Sequence, residues 1–312
     1  MSVVLHSEAK PIIDAFIANG GKSFEKMGEI SNLRSTYKTN CSLVAIKGLD
    51  QVETLNISDV ILGEPVHLRL YDTTLEREEA QPTVLFIHGG GWVIGDLDTH
   101  DSICRKIADT AHVRVIAVDY RLSPEVKFPV PFEDCQRALQ YVIDHADALK
   151  VDPKRMVFMG DSAGAHLAAH LGQSFYQNYG FELKAQVLLY PVIGYYPESE
   201  SYQNYQSGFP LVASTMHWFF DQLFESEQNQ QAISLLNQPF DRRNGDVYLM
   251  TLEHDPLRDE AMLYLSKAIQ SGLNVEYHHL GGLMHGIFTM AGKLPVAEQY
   301  LAQIGKYIAQ KI

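Results

Sequence analysis

The stretch Arg155-Met156-Val157-Phe158-Met159-Gly160-Asp161-Ser162-Ala163-Gly164 decides the fold of this chain. Its apolar first half predicts a strand, and the helix-prone stretch from Ala165 to Leu171 follows it. A serine in a sharp turn between a strand and a helix exposes its hydroxyl, and flanking glycines allow the backbone to approach closely. The Gly-x-Ser-x-Gly pattern in this setting therefore predicts that Ser162 is a nucleophile.

A second glycine-rich segment, His88-Gly89-Gly90-Gly91-Trp92, follows an apolar run that predicts another strand. It has neither the Gly-Lys-Ser/Thr end of a phosphate-binding loop nor the Gly-x-Gly-x-x-Gly spacing of a dinucleotide site. The N–H groups of consecutive glycines are not shielded by any Cβ, so they can point at a negatively charged oxygen. We therefore expect the amides of Gly90, Gly91 and Ala163 to form an oxyanion hole.

An acid and a histidine each follow a strand pattern late in the chain. Asp255 comes after the run from Asp246 to Leu252, and His285 lies in a loop after the run from Asn274 to Leu280. The order serine, acid, histidine is the one found in α/β-hydrolases. Because ligands bind beyond the carboxyl ends of parallel strands, these groups should converge at one edge of the sheet. We predict a triad of Ser162, Asp255 and His285.

Taken together, these segments resemble the hormone-sensitive-lipase family of α/β-hydrolases. The resemblance rests on residues 88–101, on Asp119-Tyr120-Arg121-Leu122-Ser123-Pro124-Glu125, on the serine turn and on residues 253–260. The Gly-Asp-Ser-Ala-Gly turn is most similar to that of the bacterial acetyl esterases in the family. The resemblance implies hydrolysis of short-chain acyl esters through an acyl-enzyme, without a cofactor, and it implies the triad and oxyanion roles given above.

Alternating strand and helix patterns between about residues 83 and 312 predict a mostly parallel central sheet covered by helices on both faces. Residues 53–71 predict an antiparallel hairpin at the edge of that sheet. The resemblance adds a helical cap. We expect an N-terminal cap segment at residues 1–50 and a cap insertion at residues 192–236. The catalytic core should consist of residues 51–191 and 237–312.

Bulky side chains near the nucleophile predict a short acyl pocket. Trp92 lies beside the glycine loop, Tyr190 follows a strand, and Phe288 follows the histidine. In the aromatic insertion, Phe209 and Leu211 are candidates for substrate contact, the alternative being that they only fill the core of the cap. An added methylene that does not fit costs more than the roughly 0.8 kcal/mol its burial could contribute. The sequence therefore favours acetyl to about hexanoyl esters.

Composition excludes several classes of partner. The chain has 312 residues and a net charge of −13, which argues against nucleic acid and anionic membrane surfaces. No His/Cys/Asp/Glu cluster has the spacing of metal ligands, so we expect no metal. The first eight residues resemble neither a signal peptide nor a membrane anchor. Three scattered cysteines, Cys41, Cys104 and Cys135, are typical of reduced thiols, and we expect a cytoplasmic protein.

Other functions for the same residues stay open. An amidase, peptidase or lactonase uses the same triad. A non-catalytic ligand-binding receptor on this fold, such as some plant hormone receptors of the family, can lose the base, and the presence of His285 argues against it. The resemblance to acetyl esterases leaves open a homodimer and a regulatory protein partner besides the small-molecule acyl esters.

Overall fold

The computed structural model describes residues 4–58 and 66–312. Within these residues, eight strands form one sheet. They are β1 (Glu53–Ile57), β2 (His67–Asp72), β3 (Gln81–Ile87), β4 (Arg114–Asp119), β5 (Val151–Asp161), β6 (Ala185–Leu189), β7 (Asp246–His254) and β8 (Val275–Met284). Their order across the sheet is β1-β2-β4-β3-β5-β6-β7-β8, and β2 is antiparallel to both of its neighbours whereas the other pairs are parallel.

Ten α-helices are present in the described part of the chain. They are α1 (Ala9–Ala18), α2 (Ile30–Val44), α3 (Asp101–Ala111), α4 (Val130–Asp144), α5 (Ala146–Leu149), α6 (Ala163–Tyr179), α7 (Glu200–Asn204), α8 (Ala213–Leu223), α9 (Arg258–Gln270) and α10 (Pro295–Lys311). Short 3-10 turns occur at Phe24–Lys26, Glu227–Ile233, Leu235–Asn237, Arg242–Asn244 and Ile287–Met290.

Both faces of the sheet are buried, because successive side chains of a strand point to opposite sides. On β5, Phe158 belongs to the apolar core that includes residues of α4, α6 and α9, whereas Val157 and Met159 belong to the core that includes residues of α3 and α10. This two-sided burial explains why the central strands read as continuous apolar runs. The predicted α/β-hydrolase fold, with a mostly parallel sheet between helices, is confirmed.

The edge hairpin predicted over residues 53–71 has its two strands in place, with Glu53 opposite Asp72 and Ile57 opposite Leu68. The connecting residues 59–65 lie outside the described part of the chain. Residues 130–149 form two separate helices, α4 and α5. The chain leaves the helical conformation between them at His145, whose φ is −108° and ψ is 21°.

Strand β8 is longer than the sequence pattern indicated. The pattern ends at Leu280, but the strand continues through Gly281 and Gly282 to Met284, which lies opposite His254 of β7. The neighbouring strand supplies backbone partners that the pattern of side chains does not reveal. His285 therefore follows the strand directly, at the same edge of the sheet as the end of β7.

Candidate active site

Ser162 lies at the junction of β5 and α6 in a strained backbone conformation, with φ of 54° and ψ of −123°. Its amide donates a hydrogen bond to the carbonyl oxygen of Leu189 at 2.9 Å, which holds the turn against β6. The following glycine permits close packing, since a Cβ on Gly164 would lie 2.1 Å from the carbonyl oxygen of Ile87. Such strain is characteristic of functional positions, and Ser162 lines a cavity at this turn.

The three residues predicted as a triad lie within hydrogen-bond distance of one another. Ser162 Oγ is 2.9 Å from His285 Nε2, and His285 Nδ1 is 2.7 Å from Asp255 Oδ2. Asp255 is 1% exposed, and its other carboxylate oxygen accepts a hydrogen bond from the amide of Leu257 at 2.9 Å. With its proton on Nδ1, the imidazole donates to the carboxylate and leaves Nε2 to accept the serine proton.

A second acid near the end of β7, Glu253, is directed elsewhere. Its Oε2 accepts a hydrogen bond from the amide of Gly282 at 2.6 Å, which ties β7 to β8. Glu253 lies within β7 whereas Asp255 follows its last residue, and the two acids are held by different neighbours. Only Asp255 of the two has a hydrogen bond to His285 in the described residues.

The amides predicted to bind the oxyanion are close to the serine. Gly90 and Gly91 line the same cavity as Ser162 and His285. Ala163 is the first residue of α6, where an amide has no acceptor inside the helix. Among the described residues, no backbone or side-chain group accepts a hydrogen bond from these three N–H groups. They therefore remain available to a bound oxygen, and the positive end of the helix dipole favours a negative one.

Asp161, which precedes the nucleophile, is buried and connects to the glycine loop. Its Oδ1 accepts a hydrogen bond from the amide of Gly89 at 2.9 Å and lies 3.2 Å from His100 Nε2. Burial by itself raises the pKa of the Asp161 carboxyl, but the nearby His100 and the Gly89 amide outweigh burial and hold that pKa below its ordinary value. An ionised carboxylate thus fixes the start of the loop.

A cavity of about 620 Å³ lies over the serine and the histidine, in the size range of small-molecule sites. About half of its lining comes from residues 12–44, which precede the sheet. Its apolar lining includes Ile12, Phe16, Phe24, Met27, Leu33, Val44, Leu211 and Phe219. The cavity beside the nucleophile is therefore lined mainly by apolar side chains.

Of the five side chains predicted to contact substrate, Leu211 lines the cavity. Trp92 does not belong to the described cavity lining: it is fully buried and packs edge-on against His166 and Phe220, with ring centroids 5.8 and 5.6 Å away. Phe209 also packs elsewhere, stacked on His254 at 5.2 Å. Both rings are buried against other aromatic side chains, where large rings contribute most to stability, and their contact with substrate stays a prediction.

Tyr190 and Phe288 form an aromatic pair beside His285. Tyr190 presents an edge contact to His285, with centroids 4.7 Å apart, and stacks on Phe288 at 5.7 Å. Both are buried, and neither is among the described residues that line the cavity. Tyr190 thus packs against the His285 ring, and Phe288 packs against Tyr190.

Residues 1–50 were expected to belong to the cap, but the residues of helix α2 that line the cavity were not identified from the sequence. Leu33, Tyr37, Cys41 and Val44 all line it, and their spacing of four, four and three residues places them on one face of a helix. That periodicity was available as a signal. Burial raises the pKa of the Cys41 thiol to about 12, so this cysteine stays protonated at neutral pH.

Three further properties concern residues 4–58 and 66–312. The cysteines at positions 41, 104 and 135 are free and buried, as expected. No group of three or more His, Cys, Asp or Glu side chains in these residues is arranged to hold a metal ion. None of the helices in the same ranges combines the length and the apolar character needed to cross a bilayer.

Comparison with known proteins gives consistent matches. A family model described as the α/β-hydrolase fold matches residues 84–289. The chain is 30% identical over 292 residues to an ethyl acetate hydrolase of Pseudomonas putida, with 91% of each chain covered. It is 31% identical over 240 residues to a carboxylesterase of Mycobacterium tuberculosis, covering 75% of each. A hyperthermophilic esterase from the archaeon Pyrobaculum calidifontis superposes with a TM-score of 0.87 at 29% identity, covering 98% of both chains.

Proposed function

The chain belongs to the hormone-sensitive-lipase family of α/β-hydrolases and is a carboxylesterase, and from this premise we propose that Ser162, His285 and Asp255 hydrolyse short-chain acyl esters through a covalent acyl-enzyme. The observation that carries the proposal is the relay from Ser162 Oγ through His285 to Asp255, with distances of 2.9 and 2.7 Å, beneath an apolar cavity. Esterases related to this chain act on small-molecule esters. The residues that carry out the reaction in this chain, and the acyl length that it prefers, are proposed here.

The proposed reaction has two acyl-transfer steps. Ser162 Oγ attacks the ester carbonyl carbon while His285 Nε2 takes the serine proton, and the tetrahedral intermediate then collapses as His285 returns that proton to the leaving alcohol. Water attacks the acyl-enzyme in the same way and releases the acid. Asp255 keeps the imidazole oriented and stabilises its cationic form. The amides of Gly90, Gly91 and Ala163 bind the oxyanion, and each donor of this kind contributes about 3 kcal/mol to transition-state stabilisation.

We propose that residues 1–50 and 192–236 form a cap over this site. Two observations support it. The cavity lining comes largely from residues 12–44, with Leu211 and Phe219 from the later segment. The two segments are also joined, because the carboxylate of Glu25 accepts hydrogen bonds from Ser214 Oγ at 2.7 Å and Thr215 Oγ1 at 2.6 Å. A roof of this kind limits the length of the acyl chain.

The proposed substrate range is acetyl to about hexanoyl esters. The Pseudomonas putida relative is named for hydrolysis of ethyl acetate, which supports activity on acetyl esters here. A cytoplasmic location is proposed from the free, buried cysteines, which suit a reducing compartment. A homodimer and a regulatory protein partner stay predictions.

The decisive experiment is a series of p-nitrophenyl esters of increasing acyl length, assayed with the wild type and with Ser162→Ala. We expect kcat/KM to be highest between acetyl and hexanoyl and to vanish in the variant. Ser174→Ala, which removes a hydroxyl from α6 outside the cavity lining, is the matched control and should keep wild-type rates. A maximum at long chains with activation by lipid emulsion would refute the substrate range. Parallel anilide and lactone substrates test the amidase and lactonase alternatives.

A further inference from the structure

Helix α2 carries two basic side chains one turn apart, and both reach the loop that contains the glycines. Arg34 Nε donates a hydrogen bond to the carbonyl oxygen of Val93 at 2.7 Å, and Lys38 Nζ lies 2.8 Å from Asp96 Oδ2. The glycine loop, defined as residues 88–100, is thus held at two points by a helix that also lines the cavity. We propose that Arg34 and Lys38 are positioning residues for the oxyanion amides, an inference that rests on the function proposed above.

The Arg34 guanidinium is itself fixed in place. It makes a bidentate contact with the Glu125 carboxylate at 2.7 and 2.8 Å and donates to the carbonyl oxygen of Ser123 at 2.8 Å. The amide of Ser123 in turn donates to the carbonyl oxygen of Trp92 at 2.8 Å. Arg34 therefore holds two consecutive loop carbonyls: that of Val93 directly, and that of Trp92 through Ser123. The rigid fork of an arginine suits this role better than a single ammonium.

The contacts of Arg34 lie next to the amides of Gly90 and Gly91, which are proposed to bind the oxyanion. The carbonyl oxygen of Gly90 accepts hydrogen bonds from the amides of Val93 at 3.0 Å and Ile94 at 2.9 Å, so residues 90–94 form one tight turn. Arg34 holds the far side of that turn at the Val93 carbonyl. A shift of the Val93 peptide would be passed through these bonds to Gly90 and Gly91, whose N–H groups face the reacting oxygen in the proposed mechanism.

Lys38 holds the other end of the loop. The Asp96 carboxylate that it contacts also accepts hydrogen bonds from the amides of Asp98 at 3.0 Å and Thr99 at 2.8 Å through Oδ1. Lys38 makes a second contact, at 2.6 Å, with Asp98 Oδ2. The charge on α2 thus lies against a carboxylate that organises the backbone of the loop.

From this carboxylate a chain of polar contacts leads back to the nucleophile. Thr99 Oγ1 is 2.8 Å from His100 Nδ1, His100 Nε2 is 3.2 Å from Asp161 Oδ1, and that oxygen accepts the amide of Gly89 at 2.9 Å. The path joins a solvent-facing lysine to the residue beside Ser162. Docking of α2 and the geometry of the oxyanion site are therefore parts of one connected structure.

Loss of the Arg34 and Lys38 contacts should affect stability and kcat to different extents. Partly exposed ion pairs contribute little to global stability, so their loss should leave the protein folded. Removal of one oxyanion donor, by contrast, lowers kcat by about 10²–10³-fold, so its partial displacement should still lower kcat measurably. Activity should thus respond far more strongly than thermal stability. Because the oxyanion is common to all esters, the loss should also be independent of acyl length.

The test compares Arg34→Gln, Lys38→Gln and the double variant with Lys10→Gln. The control removes an exposed ion pair with Asp14, 2.6 Å apart, from α1. We expect the double variant to lose at least about 10-fold in kcat on both acetyl and hexanoyl esters, with KM within about 2-fold and melting temperature near that of the wild type. A trifluoromethyl ketone inhibitor, which binds as an oxyanion, should weaken by a similar factor.

The contrary outcomes are distinct. If α2 serves only as a roof, KM should rise and the effect should grow with acyl length, while kcat and inhibitor binding stay unchanged. That result, or wild-type kinetics in the double variant, would overturn the inference. Should Arg34→Gln fail to fold, Glu125→Gln provides the same measurement. This variant keeps Arg34 but removes the carboxylate that holds its guanidinium in place. A wild type without Ser162-dependent hydrolysis would instead refute the proposed function itself.

Discussion

The amide of Gly89 donates a hydrogen bond to Oδ1 of Asp161 at 2.9 Å, so the glycine loop is attached to the residue that precedes the nucleophile. Strands β3 and β5 are neighbours in the sheet, and their carboxyl ends therefore lie side by side. One buried carboxylate connects the two loops that follow them. The nucleophile and the amides proposed to stabilise its transition state thus have a common anchor, which limits their relative movement.

The triad itself gives the first prediction. Ser162→Ala, His285→Ala and Asp255→Asn should each lower kcat by at least about 10³-fold while the protein stays folded, because the three groups act as a unit. Glu253→Gln is the control, since Glu253 bonds to the Gly282 amide and not to the histidine. Kinetics with a p-nitrophenyl ester and circular dichroism provide the measurements. Near-full activity in Asp255→Asn combined with loss in Glu253→Gln would show the acid assignment to be wrong.

The glycine loop gives a second prediction. A Cβ on Gly90, whose φ is 111°, would lie 2.1 Å from the carbonyl oxygen of Ile94, so Gly90→Ala should displace the loop and lower kcat by about 10²-fold or more. Gly180 also has a positive φ, 71°, but has open space around its Cβ position. Gly180→Ala therefore introduces comparable backbone strain away from the site and should keep the wild-type kcat. Equal activities of the two variants would contradict the oxyanion assignment.

Selectivity for acyl length should respond to Leu211, which lines the cavity. Leu211→Ala adds space, so kcat/KM should rise for octanoyl relative to acetyl esters, by up to about 4-fold for each methylene that becomes buried. Phe209→Leu should leave this ratio unchanged, because Phe209 stacks on His254 instead of lining the cavity. The ratio is measured from competing esters in one reaction. A change in the Phe209 variant alone would mean that the cavity lining has been misassigned.

Acid should destabilise the protein through a buried histidine. Burial lowers the pKa of His166 from its ordinary 6.5 to about 3, with Nε2 bonded to the carbonyl oxygen of Ile233 at 2.8 Å. Between pH 6.5 and about pH 3, His166 is protonated in the unfolded chain but neutral in the folded protein. Stability therefore falls as the pH decreases from about 6.5 toward 3. His166→Gln keeps a donor but cannot titrate. Thermal unfolding from pH 7 to pH 4 should therefore show a smaller decline in this variant, and parallel declines would exclude the effect.

The proposed mechanism also makes a chemical prediction. Dialysis against a strong chelator should leave kcat unchanged, because the triad needs no Lewis acid. A serine-directed organophosphate should abolish the activity by labelling Ser162, and peptide mass spectrometry should find the added phosphoryl group there. Hydrolysis that is sensitive to the chelator and resistant to the organophosphate would rule out a serine mechanism.

Much of the fold was predictable from local sequence, because the order of apolar runs and helical patterns indicated the sheet. Each residue of the proposed triad was singled out because it follows a strand. Local patterns work at these positions because a parallel sheet brings the carboxyl ends of its strands to one edge. Ser162, Asp255 and His285, far apart in the chain, thus required no knowledge of side-chain packing.

Only the tertiary structure decided which side chains border the substrate space. Trp92, Tyr190 and Phe288 follow the carboxyl ends of β3, β6 and β8, yet none of them is among the described residues that line the cavity, whereas Tyr37 of α2 reaches it from the N-terminal segment. The physical reason is that burial depends on the area a ring can cover against neighbours from distant elements. Sequence order determines which strand a residue follows. What the residue faces depends on how α2 and residues 192–236 pack at the carboxyl edge of the sheet.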